Sequence, residues 1–136
     1  MIHGKFDLEF EKMPSGTSQQ KGINYRTGTV YTKKRVMDTK KLLLDALKAH
    51  APKTPIESPV RLVIYYYYPI KAKKYKYKYK TTRPDVDNVS KLLIDCMTQA
   101  GFWKDDAQVC ILKQIKLYGD EIAIISIEYS EVFNDR

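Results

Sequence analysis

Asp87-Asn88-Val89-Ser90-Lys91-Leu92-Leu93-Ile94-Asp95-Cys96-Met97-Thr98-Gln99-Ala100 is the stretch that organises this chain. Val89, Leu92, Leu93, Cys96, Met97 and Ala100 recur at the i, i+3, i+4, i+7 spacing of a buried helical stripe, and Gly101 supplies the C-terminal stop. Asp87, Lys91 and Asp95 follow at four-residue steps on the polar face. Upstream, Val60 to Ile70 is rich in β-branched and aromatic residues and reads as a central strand ended by Pro69. Downstream, Val109 to Tyr118 and Glu121 to Tyr129 read as strands joined at Gly119-Asp120 in a tight hairpin. Strand, helix, strand, strand in that order implies a βαβ-like crossover followed by a hairpin.

Further out, Ile2, Gly4, Phe6, Leu8 and Phe10 alternate with polar residues, which marks a strand with one wet face that ends near Pro14. From Ser15 to Arg35 the chain is rich in Gly, Ser, Thr, Lys and Arg with no sustained period, and reads as a long basic loop. Its cations Arg26, Lys33, Lys34 and Arg35 suit DNA phosphates, while the bland alternative is a mobile surface excursion. Asp38 can cap a helix running to about His50, with Leu43, Leu44 and Leu47 toward the core and Lys40, Lys41 and Lys48 toward solvent. Pro52 and Pro55 stop it. The expectation is one α+β domain over residues 1–136, a mixed sheet with two helices in the order β-α-β-α-β-β.

The net charge of +8 is unevenly placed: residues 1 to 83 hold 19 basic and 6 acidic side chains, and residues 84 to 136 hold 5 and 10. A basic half beside an acidic half suits a polyanion held over a metal cluster, although a basic pI by itself only aids solubility. Cys96 and Cys110 lack a CxxC partner, and His3 and His50 complete no zinc set, so buried, reduced thiols are expected. The N-terminus alternates charges from Lys5 to Lys12, and the longest apolar run, Leu62 to Ile70, is too short to span a bilayer. A cytoplasmic protein with no membrane partner and no small-molecule cofactor is expected.

Lys71 to Lys80 is low in complexity and free of acids. If extended, it places Lys74, Lys76, Lys78 and Lys80 on one side and Tyr75, Tyr77 and Tyr79 on the other. Together with Lys71, Lys73 and Arg83, these cations would meet phosphates, with tyrosine rings packed on the domain or stacked on exposed bases. Lysines in a row repel one another unless a polyanion relieves them. A solvated lysine run over packed tyrosines is the alternative.

Acids collect at two points. In extended chain the side chains of Asp85 and Asp87 point the same way, with α-carbons roughly 6.5 Å apart, and both can reach one cation. The helix then delivers Asp105 and Asp106, one or both of which could close the cluster. Hard oxygen ligands of this kind favour Mg²⁺ or Mn²⁺. Asp105 either binds metal, orients a metal-bound water or faces solvent, since adjacent strand residues point oppositely. Lys91 stands one helical turn from Asp87, where a cation can stabilise developing charge. Each residue has a plainer reading: a helix cap for Asp87, an Asx turn for Asp85, and an ion pair with Asp87 or Asp95 for Lys91. Phe102 and Trp103 are most simply core anchors for the loop that carries the second pair.

The two blocks together resemble the RusA family of Holliday junction resolvases, whose motif is acid-x-acid-Asn, a lysine four residues after the second acid, a helix, then Gly-(Phe/Val)-Trp-x-Asp-Asp. Asp85, Asp87, Asn88, Lys91, Gly101, Trp103, Asp105 and Asp106 all match; the likeness is close from Arg83 to Gln108 and looser elsewhere. The resemblance implies a small homodimeric, magnesium-dependent endonuclease that nicks four-way DNA junctions. It assigns metal binding and catalysis to Asp85, Asp87 and Asp106, with Lys91 assisting. Pro84 stands where some members carry a basic residue, with Arg83 one place earlier. Two rivals stay open: a nuclease of flaps or forks, and a non-catalytic protein that coats branched or single-stranded DNA. Resolving a junction takes two incisions and one chain carries one acid cluster, which also favours a two-fold dimer.

Overall fold

The computed structural model describes residues 1–14, 21–24, 29–32 and 34–134. In chain order its elements are β1 (His3–Phe10), the antiparallel pair β2 (Lys21–Asn24) and β3 (Thr29–Thr32), α1 (Lys34–Lys48), β4 (Val60–Tyr68), α2 (Asp87–Ala100), β5 (Val109–Tyr118) and β6 (Ala123–Glu131). The main sheet runs β1-β6-β4-β5, with β4 and β5 parallel and the other pairs antiparallel. It is a mixed sheet with two helices, an α+β fold, and α2 makes the crossover between parallel neighbours.

The hairpin expected at Gly119-Asp120 is absent, because β4 lies between β5 and β6. Gly119 N–H donates to Tyr68 O at 2.8 Å and Ile70 N–H to Asp120 O at 2.7 Å, so the connection wraps round the end of β4. Burial accounts for this. Val60, Leu62, Val63, Ile64 and Tyr66 are all buried, and a strand this apolar is better placed between two neighbours than at an edge. The glycine marks a close approach: a Cβ at Gly119 would lie 2.8 Å from Tyr67 Cβ.

The structure departs from two more expectations. The basic loop from Ser15 to Arg35 contains the β2/β3 hairpin, while Arg26 and Lys33 lie outside the described residues. The first helix starts at Lys34 and takes in Asp38, so Asp38 does not cap it; Lys34 and Arg35 stand in its first turn.

The core forms where both helices meet one sheet face. Leu43 and Leu47 of α1 and Val89, Leu92, Leu93, Cys96 and Met97 of α2 pack on Leu62, Ile64, Tyr66, Ile125, Ile127 and Tyr129. Each such side chain contributes roughly 1.5–3 kcal/mol when fully buried. Lys40 of α1 pairs with Asp95 of α2 at 3.1 Å, and Cys96 Sγ donates to Lys40 O at 3.7 Å. Cys110, expected to be buried, is exposed at the register shift early in β5. Among the described residues no helix is long and apolar enough to cross a membrane.

Candidate active site

Asp85 and Asp87 stand exposed at the entrance of α2. Val86 between them is helical, at φ −60° and ψ −29°, so the stretch lacks the extended geometry expected to point both side chains the same way. Residues two apart across a helical turn do not face each other. Asp87 is the first residue of α2 and does not cap it; Val86 occupies that place without a side-chain bond. An acid in a first helical turn is favoured by the helix dipole. Lys91, one turn on, is exposed and makes no ion pair among the described residues with either Asp87 or Asp95, and Asp95 pairs instead with Lys40.

The loop that leads into Asp85 is held by two lysines. Lys116 of β5 donates to Thr82 O and Pro84 O, both at 2.7 Å. Lys80 donates to Arg83 O at 2.6 Å and to both oxygens of Thr82. Lys80, read above as a phosphate contact, is thus turned onto its own chain. Sequence reasoning missed Lys116, and no local signal marks it, since its partners lie 34 and 32 residues away.

The second acidic pair follows a rigid turn. Gly101, at φ +95°, ends α2, with its N–H on Thr98 O and that of Phe102 on Met97 O. Phe102 and Trp103 are buried anchors; Ile56 N–H donates to Phe102 O at 2.9 Å. Asp105 caps the short 3₁₀ turn Asp106–Gln108, accepting from Ala107 N–H at 2.9 Å while Gln108 Oε1 accepts from Asp105 N–H. Gln108 Nε2 in turn reaches Ile56 O and Ser58 O. The bond from Ala107 and a second from Asp106 hold the Asp105 carboxyl below its ordinary range. Asp106, though exposed, is pushed up, first by its bond with Asp105, then by slight desolvation and by the charges of Asp105 and Asp95. Asp95 stands two turns beyond Asp87 on α2, about 12 Å along the helix at 1.5 Å per residue.

The lysine-tyrosine segment is not one extended strand. Lys73–Tyr75 forms a 3₁₀ turn and Tyr77 has φ +63°. Only from Tyr77 does it pair with the edge of β5, through Tyr77 N–H to Tyr118 O, Tyr118 N–H to Lys78 O and Lys80 N–H to Lys116 O. Its charge is partly met within the chain. Lys76 pairs with Asp120 at 2.5 Å, and Lys74 and Lys76 lie 5.0 Å over the rings of Tyr75 and Tyr77. Lys71, Lys73 and Lys76 line a cleft of about 580 Å³ with Asp120 and Glu121. Lys71, Lys73, Lys74, Lys78 and Arg83 are exposed and make no ion pair among the described residues.

Asp85, Asp87, Asp105 and Asp106 offer the hard oxygens that suit Mg²⁺ or Mn²⁺. Among the described residues, however, no group of three or more His, Cys, Asp or Glu is close enough to hold an ion. The family model described as Endodeoxyribonuclease RusA matches residues 12–128. A protein of Lactococcus phage r1t named crossover junction endodeoxyribonuclease rusA is 39% identical over 132 residues, covering 94% of this chain and 99% of its own. The crossover junction endodeoxyribonuclease RusA of Escherichia coli K12 is 36% identical over 53 residues, 39% of this chain and 44% of its own. A protein of the same name from Enterobacteria phage 82 has the same identity and coverage.

Proposed function

Because this chain belongs to the RusA endodeoxyribonuclease family, we propose that it is a structure-specific endonuclease that cuts four-way DNA junctions. The observation that carries the reading is the family match across residues 12–128, within which Asp85, Asp87 and Lys91 share the exposed entrance of α2. Asp85 and Asp87 are assigned as anionic donors for Mg²⁺, with Mn²⁺ as a substitute. Lys91, free of a carboxylate partner among the described residues, is assigned to the phosphate, where its charge stabilises the transition state. Asp106 is the third acid. Among the described residues these acids do not gather into a group of three, so an ion held here would need a further donor.

A homodimer is part of the proposal for two reasons. Paired symmetric nicks need two centres, and an isologous interface provides them. A second copy is also the available source of the acid that one chain does not bring to Asp85 and Asp87. Within residues 71–83, Lys71, Lys73, Lys74, Lys78 and Arg83 make no ion pair among the described residues and are assigned to the DNA backbone, with Lys76 available where DNA displaces Asp120.

The test is an end-labelled four-way junction incubated with the protein with and without Mg²⁺, beside a flap, a fork and a linear duplex. Paired nicks on the junction alone support the proposal. Preferential cutting of flaps or forks would replace it with the broader nuclease reading, and binding without cutting would leave a DNA-coating protein.

A further inference from the structure

Lys116 reaches the loop before α2 from the middle of a strand, and what this implies rests on the endonuclease reading. Its ammonium leaves the partly buried face of β5 and gives two of its three N–H groups to the carbonyls of Thr82 and Pro84, both at 2.7 Å. Among the described residues it forms no ion pair. Lys80 donates to Arg83 O at 2.6 Å, so three consecutive carbonyls, those of Thr82, Arg83 and Pro84, are held by ammonium groups. The next residue is Asp85. Residues 82–84 belong to no helix or strand, and Thr82 and Arg83 are exposed. Their path is set from the sheet, since Lys116 is a residue of β5 and its carbonyl also accepts from Lys80 N–H at 3.1 Å.

We infer that Lys116 is a positioning residue for the active site: it anchors the loop before α2 to the sheet and so fixes where Asp85 presents its carboxylate. It acts on the rate of the bound complex and not on affinity, because its donors are turned inward to carbonyls. Displacing a reacting group by about 1 Å can cost on the order of a hundredfold in rate.

The experiment compares wild type, Lys116→Met and Lys116→Arg as full-length proteins. Single-turnover cleavage of a four-way junction in Mg²⁺ is measured beside junction Kd in Ca²⁺ and amide hydrogen exchange of residues 82–88. For Lys116→Met the expected result is a rate loss of about ten- to a hundredfold, a nearly unchanged Kd and faster exchange in 82–88. Lys116→Arg, which can still donate to two carbonyls, recovers most of the rate. If Lys116→Met does not fold, Lys116→Thr, a strand-compatible residue too short to reach the carbonyls of Thr82 and Pro84, carries the same comparison. Wild-type rate in a folded Lys116→Met overturns the inference, as does weaker binding with unchanged rate at saturation, which would make Lys116 a phosphate contact. Failure of wild type to cut would instead sink the endonuclease reading, while the exchange measurement still reports whether Lys116 holds the loop.

Discussion

The indole of Trp103 donates to Thr98 Oγ1 at 2.7 Å, tying the turn after α2 back to the helix itself. Thr98→Val keeps the shape and removes the acceptor, leaving a donor with its ring only 1% exposed. An unsatisfied buried donor costs about 1–3 kcal/mol. Trp103 is the sole tryptophan of the chain, so its fluorescence reports unfolding directly. The urea midpoint should fall with the slope unchanged; an unmoved midpoint would mean that this bond does not hold the turn.

The neighbouring acids Asp105 and Asp106 should behave differently. Asp105→Asn preserves a side-chain acceptor for Ala107 N–H, and Asn caps about as well as Asp, so stability and cleavage should stay near wild type. Asp105→Ala should cost about 1 kcal/mol through loss of the cap. Asp106→Asn should abolish cleavage while junction binding persists. Thermal melts and single-turnover cleavage on all three variants check this, and equal losses for Asp105→Asn and Asp106→Asn would give Asp105 a place in the chemistry.

How much of this was legible follows from the range of each interaction. The stripe of α2, its stop at Gly101 and the apolar run of β4 are local patterns, and the structure has them where the sequence puts them. The separation of β5 from β6 is not local, since it depends on β4 competing for two neighbours. Likewise Lys116 acts across 32 residues, beyond any spacing rule. Asp105-x-x-Gln108 is different, because an acid followed three residues later by Gln is a local capping-box pattern and so is legible in the sequence. The lysine-tyrosine alternation misled because Tyr77 at φ +63° breaks the period.

Within that segment the lysines should divide by their partners. Replacing Lys73, Lys74 and Lys78 with Gln should weaken junction binding and flatten its log-log salt dependence by roughly 0.9 per lost contact. Lys76→Gln should change the slope less, because Lys76 already pairs with Asp120 at 2.5 Å. Binding titrations across a salt series measure this. Equal slopes for wild type and the triple variant would place the segment away from the DNA backbone.

The two thiols should separate cleanly. Cys110 is exposed, whereas Cys96 is buried and its thiol is pushed up from the usual 9.0 to about 11, chiefly by desolvation. One thiol per folded chain should react quickly with a disulfide reagent at pH 8, and Cys110→Ser should remove that signal. The same shift has a stability consequence. Its contribution is whole below the unfolded value and is lost as pH rises toward 11, because the unfolded chain gives up the proton first. Burial raises Tyr66 and Tyr68 as well, so stability should decline on the alkaline side. Two fast thiols at pH 8 would contradict the packing of α2.

The most direct measurement of the central claim is single-turnover cleavage of an end-labelled four-way junction by wild type and by Asp87→Asn, both in Mg²⁺ and both with junction affinity measured in parallel. Asp87 is exposed at the entrance of α2 and makes no ion pair among the described residues, so its loss removes an anionic donor and no positive contact with DNA. The expected result is paired symmetric nicks by wild type only, with Asp87→Asn binding the junction as tightly or more so. Cleavage by Asp87→Asn at the wild-type rate would contradict the assignment of the active site to this end of α2.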